Sequence, residues 1–135
     1  MSRQWIWVKS DTPPKCKLSK WQKESLVAKA DTFLHAFYHA NFLKPPPANP
    51  QFNYIVDFSL CWQGSYLRFT AKYACPGPTA LAPFFDHAFA RLGYFRDDCY
   101  NLWARRYNDQ WIVLADELTL QECFEEMRTN PWFQF

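Results

Sequence analysis

The sequence predicts an α+β fold in two layers. An antiparallel meander of about five strands is covered by one long N-terminal helix and one short C-terminal helix. Three observations predict it. Residues 20–42 hold neither Pro nor Gly, and apolar side chains recur there at three- and four-residue steps. From 52 to 115 the period changes to two, in runs broken by turn residues. Near 119 a second capping signature appears and the helical spacing returns.

All 135 residues are expected to form one domain. Residues 1–18 read as a short strand and linker: Trp5-Ile6-Trp7-Val8 is aromatic and β-branched, and Pro13-Pro14 follows. The long helix is placed at 19–43. Ser19 and Gln22 form a capping box, in which each side chain satisfies an orphan backbone N–H. Leu26, Ala30, Phe33, Leu34 and Phe37 mark its inner face, and Pro45-Pro46-Pro47 ends it.

The sheet is placed at 52–115. Phe52, Tyr54, Val56, Phe58, Leu60 and Trp62 alternate with Asn53, Ile55, Asp57, Ser59 and Cys61. A turn at Gln63-Gly64 leads to a second strand. Leu67, Phe69, Ala71 and Tyr73 share one of its faces, and Tyr66, Arg68, Thr70 and Lys72 share the other. Three prolines make 75–83 a loop. Phe84, Phe85, Ala88, Phe89 and Leu92 also fit a helical face, but the segment leads into further strands, so a strand is expected over 87–95. Arg96-Asp97-Asp98 forms a turn. Strands over 100–107 and 110–115 flank Asn108-Asp109, a pair compatible with a type I′ turn. Thr119 and Glu122 are a second capping box for a helix over 119–130, which Asn130-Pro131 stops.

Composition narrows the function classes. Net charge is +2, too weak a field to call for nucleic acid or an anionic membrane. No apolar run approaches the roughly 20 residues that span a bilayer. The N-terminus lacks the apolar core of a signal peptide, so a cytoplasmic protein is expected. Cys16, Cys61, Cys75, Cys99 and Cys123 form no CxxC pair, which points to separate thiols. The chain carries 13 Phe, 7 Tyr and 7 Trp. One sheet face and two helices offer limited room for so many rings, and an exposed remainder would mark an interface.

Three constellations could carry chemistry. Asp31, His35 and His39 lie on one helical stripe at i, i+4 and i+8, a spacing at which a His pair can share a metal ion. The rise of 1.5 Å per residue puts Asp31 and His39 about 12 Å apart, so a solvated helix face is the plainer reading and no metal is expected. Cys75, in Cys75-Pro76-Gly77-Pro78, could be a nucleophile if His87 approached it, although the prolines already explain a turn there. Tyr66, Arg68 and Lys72 on one strand, with Arg91, Arg105, Arg106 and Tyr107 on others, interleave rings and cations as single-strand nucleic-acid platforms do. The glycine-bearing signature of such platforms is missing, and Arg105 and Arg106 must face opposite ways. No phosphate-binding or dinucleotide-binding glycine motif can be built from Gly64, Gly77 and Gly93, and no cofactor is expected.

Several segments resemble a family of small uncharacterised bacterial proteins, a domain of unknown function. They are Phe89-Ala90-Arg91-Leu92-Gly93-Tyr94, the run from Tyr100 to Trp111, Leu118-Thr119-Leu120-Gln121-Glu122-Cys123 and Asn130-Pro131-Trp132-Phe133, with Tyr73-Ala74-Cys75-Pro76-Gly77-Pro78. The resemblance lies mainly in the C-terminal half and assigns no site residue. The expected function is a small binding or assembly module without catalysis, self-associating as a homodimer through aromatic surface. Two alternatives stay open. One is a small-molecule-binding protein or enzyme with a pocket between helix and sheet, using Cys75 or His35. The other is single-stranded nucleic-acid binding.

Overall fold

A computed structural model describes residues 18–106 and 108–135. The strand and linker expected within 1–17, Cys16 and the side chain of Tyr107 lie outside the described residues. The element order is α1 (Lys20–Phe33), a π-helical segment (Leu34–His39), α2 (Ala40–Phe42), β1 (Tyr54–Gln63), β2 (Tyr66–Ala74), β3 (Phe84–Arg96), β4 (Cys99–Arg105), β5 (Trp111–Leu118), α3 (Leu120–Thr129) and a 3-10 turn (Pro131–Phe133). The strands form one antiparallel sheet in the order β1-β2-β3-β4-β5, so the meander and its two helical covers are as the periodicity implies.

Both capping boxes are present. Ser19 Oγ accepts from the Gln22 N–H and Gln22 Oε1 accepts from the Ser19 N–H. Thr119 and Glu122 do the same for α3. The long helix, however, is not α throughout. Its π turn places an extra residue in the register, and the inner face passes from Leu26, Ala30 and Phe33 to Leu34 and Tyr38, all buried. Phe37, expected in the core, is only half-buried at its margin.

The core lies between the helices and one sheet face. Phe58, Leu60 and Trp62 of β1 face it, opposite Ala71, Phe69 and Leu67 of β2. A bulge on β3 explains why 84–95 has a mixed period. Phe69 pairs with Ala90 and Thr70 with Ala88, which leaves Phe89 as the extra residue, buried in the core. The strand also starts at Phe84, earlier than the expected 87.

Two turns differ from expectation. Gln63 ends β1 and pairs with Tyr66, so the β1–β2 turn is Gly64-Ser65 instead of Gln63-Gly64, and Gly64 takes φ 59° in it. At 108–109 only Asp109 has positive φ, at 63°, whereas a type I′ turn needs two such residues. Instead the Asp109 N–H donates to the Arg106 carbonyl and the Arg106 N–H to the Gln110 carbonyl, a longer loop closed by a left-handed residue. Both flanking strands are correspondingly shifted, β4 ending at Arg105 and β5 running from Trp111 to Leu118.

The C-terminal residues close the core of their own chain. Phe133 is fully buried, and its carbonyl accepts from the Tyr38 hydroxyl at 3.0 Å. The Phe135 ring meets Tyr38, Phe58 and Phe89. Gln134 Nε2 donates to the Met127 and Arg128 carbonyls at 2.8 and 3.0 Å, satisfying acceptors that the end of α3 leaves open.

Candidate functional site

Because both helices cover the same face, the other face of the sheet carries no helix among the described residues. Strand parity sends Tyr66, Arg68, Thr70 and Lys72 of β2 to it, with Arg91 of β3 opposite Arg68. Trp103 and Arg105 of β4 and Trp111 of β5 follow, since Arg91 pairs with Trp103 and Arg105 with Trp111. Tyr66 crosses the bare Gly93 position and meets Trp103 edge-on at 5.2 Å.

Cations and rings are layered there. The Arg91 guanidinium lies 3.9 Å from the Tyr66 ring, 4.9 Å from Trp103 and 4.6 Å from Trp111. Trp111 in turn meets Arg68 at 5.6 Å and Arg105 at 5.3 Å. Arg105 Nε also faces Asp109 Oδ1 at 3.5 Å. The Arg68 Nε is buried and has no hydrogen-bond partner among the described residues. Further along β2, the Lys72 ammonium lies 4.8 Å from the ring of Phe84, which is exposed. Contacts of this kind fix the guanidinium planes while leaving their charge in place.

The face is not uniformly open. Trp103, Val113 and Ala88 at its centre are buried. On the β1–β2 side Ser59, Cys61, Gln63 and Lys72 are exposed, and Tyr66, Arg68 and Thr70 are half-buried.

The sequence places Tyr66, Arg68, Lys72, Arg91 and Arg105 together, and the register brings them together. Arg106 lies beyond the end of β4. Trp103 and Trp111 were not among the expected site residues. Trp103 alternates with Arg105 on β4, which is readable in the sequence, but its place beside Arg91 depends on the β3–β4 register, and that of Trp111 on the β4–β5 register as well.

The His stripe is arranged differently. His35 Nδ1 lies 2.9 Å from the Asp31 carbonyl and 3.5 Å from its carboxylate. The His35 and His39 rings stack at 4.2 Å, and His39 Nε2 lies 3.9 Å from Asp57 Oδ1 at the bulge of β1. Stacked rings turn their nitrogens toward different carboxylates. Among the described residues no group of three His, Cys, Asp or Glu is arranged to hold a metal ion.

Cys75 follows β2, its N–H donating to the Pro83 carbonyl at 2.8 Å. It lines a groove of about 370 Å³ with Gln51, Asn53, Leu81, Phe84 and Phe85, while His87 pairs with Ala71 on β2 and is not part of that lining. Burial, with the charge of Arg105, lowers the His87 pKa. Burial pushes the Cys99 and Cys123 thiols up, so both stay protonated and weakly nucleophilic. A second groove of about 240 Å³ lies between α1 and the far end of the sheet, walled by Ser25, Lys29, Asp97 and Tyr100. It contains neither Cys75 nor His35. The Tyr100 hydroxyl beside it is pushed up to about 12 by burial and neighbouring carboxylates.

No helix among the described residues is long and apolar enough to cross a membrane. No curated protein and no solved structure matches the chain. A family model does match, over residues 18–135, well beyond the C-terminal half. The chain therefore belongs to DUF3024, a domain of unknown function.

Proposed function

We propose that the domain is a non-catalytic binding module whose working surface is the helix-free face of the sheet, and whose ligand brings negative charge to it. One observation carries this reading: the guanidiniums of Arg68, Arg91 and Arg105 gather around the single indole of Trp111. Like charges held this close repel one another; Asp109 offsets part of that repulsion at Arg105, and a bound anion offsets more. The unsatisfied Arg68 Nε supports the reading, because buried donors are ordinarily paired. Thermal melts at low salt with pyrophosphate as probe test it. The expected result is a midpoint that rises with pyrophosphate, and a rise that shrinks in Arg68→Gln. An unchanged midpoint at low salt overturns the reading.

A second reading, self-association, is favoured by a different place in the fold. Phe52, Leu81, Phe84 and Phe85 are large, apolar and exposed, and the last three line the Cys75 groove.

A further inference from the structure

We infer that the outer part of the helix-free face, along β1 and β2, takes single-stranded nucleic acid. This rests on the anion-binding reading above and names its ligand. Two cation–ring pairs stand on the same side of one strand: Lys72 with Phe84, and Arg68 with Trp111. They are four residues apart, which at about 3.3 Å per residue is roughly 13 Å. A small anion needs one such pair. A flexible polyanion with a flat ring on every unit uses both, its phosphates against the cations and its bases against the rings.

Accessibility runs the same way. Along β1 and β2 the exposed residues of this face are Asp57, Ser59, Cys61, Gln63 and Lys72, with half-buried Arg68 and Thr70 between them, a strip of hydroxyl, amide and charged groups. The carboxylates bordering it are Asp57 of β1 and Asp86 of β3, which pair with Lys72 from either side, and Asp109, on Arg105, so the cationic end of the strip is at Arg68 and Arg91. The bases of a single strand are free to reach such rings, whereas those of a duplex are already paired and stacked.

The test uses a labelled oligo(dT) of about 12 nucleotides, a length within the usual range of single-strand sites. Anisotropy is read at several salt concentrations against a duplex of equal length and against pyrophosphate. Expected are binding of the single strand in preference to both, and an affinity that falls with salt by a log–log slope of about −0.7 per phosphate neutralised. Lys72→Gln and Arg68→Gln should each weaken binding and make that slope shallower by about 0.7. Lys72 is exposed, so its variant keeps the fold and the test stays decisive. Cys61 gives an independent readout. It is exposed and pairs with Arg68, so bound oligonucleotide should slow its alkylation.

Pyrophosphate binding as tightly as the oligonucleotide overturns this inference and leaves the anion-binding reading standing. Equal binding of the duplex overturns it, as does single-strand binding that neither variant weakens. If no probe binds at low salt, both readings fall.

Discussion

Tyr38 joins the helix to both the sheet and the C-terminal tail, because a π turn swings it where an α turn would put Phe37. It is fully buried, its ring contacts Phe33, Phe58 and Phe89, and its hydroxyl donates to the Phe133 carbonyl. Tyr38→Phe keeps the ring but strands that carbonyl, and should cost about 1–3 kcal/mol in denaturant melts. Phe33→Ala, a core deletion, should cost about 3–5 kcal/mol. His35→Ala, on the exposed side of the same helix, should cost under about 0.5 kcal/mol. Equal losses at Phe33 and His35 would contradict the face assignment. His87 contributes a pH dependence below neutrality. Its folded pKa lies below the ordinary 6.5, so the unfolded chain takes up the proton first. Stability from this group is complete above about pH 6.5. It falls as pH drops through that value toward the lower folded pKa, and levels off beneath it. His87→Gln should flatten this limb of a stability-against-pH curve; an unchanged limb would assign it to other groups.

The elements that could be read from sequence are those specified locally. Ser19/Gln22 and Thr119/Glu122 announce helix starts because the capping partners are three residues apart, and β2 announces its two faces by strict alternation. What escaped reading depends on distant partners. The π turn is set by what Leu34 and Tyr38 pack against, the Phe89 bulge by the register with β2, and the 106–110 loop by a left-handed Asp109. The candidate site divides the same way: Tyr66, Arg68 and Lys72 follow from one strand, whereas the Trp111 stack follows from the placement of β5 beside β4. The C-terminal tail is likewise a matter of tertiary contact. Trp132 is exposed, but Phe133, Gln134 and Phe135 bind the core and the end of α3. Deleting residues 132–135 should therefore lower the melting midpoint and leave the mass in solution unchanged. A change of assembly state without loss of stability would mean that the tail bridges subunits instead.

On the scale of the whole molecule, the rings that the core does not absorb are distributed unevenly, and the distribution separates two kinds of contact. One edge of the sheet is β1, where pairing with a second copy would add strands. That edge is interrupted by a register shift at Ile55/Asp57 and carries the exposed Asp57 there, both of which oppose continued pairing. Leu81, Phe84 and Phe85 offer an exposed apolar surface instead, with Lys72 against the Phe84 ring. A two-fold contact there would close on itself and not polymerise. Light scattering across a concentration series should accordingly show a dimer that Leu81→Asp turns into a monomer. Because Leu81 is fully exposed, its replacement should leave monomer stability within about 0.5 kcal/mol, so a loss of assembly cannot be mistaken for unfolding. Phe84→Ser would be less clean, since Phe84 also lies under Lys72 and its loss should weaken both association and binding on the helix-free face. A wild-type chain that stays monomeric at the highest concentration removes the self-association reading, and leaves the cationic face to account for the protein's function.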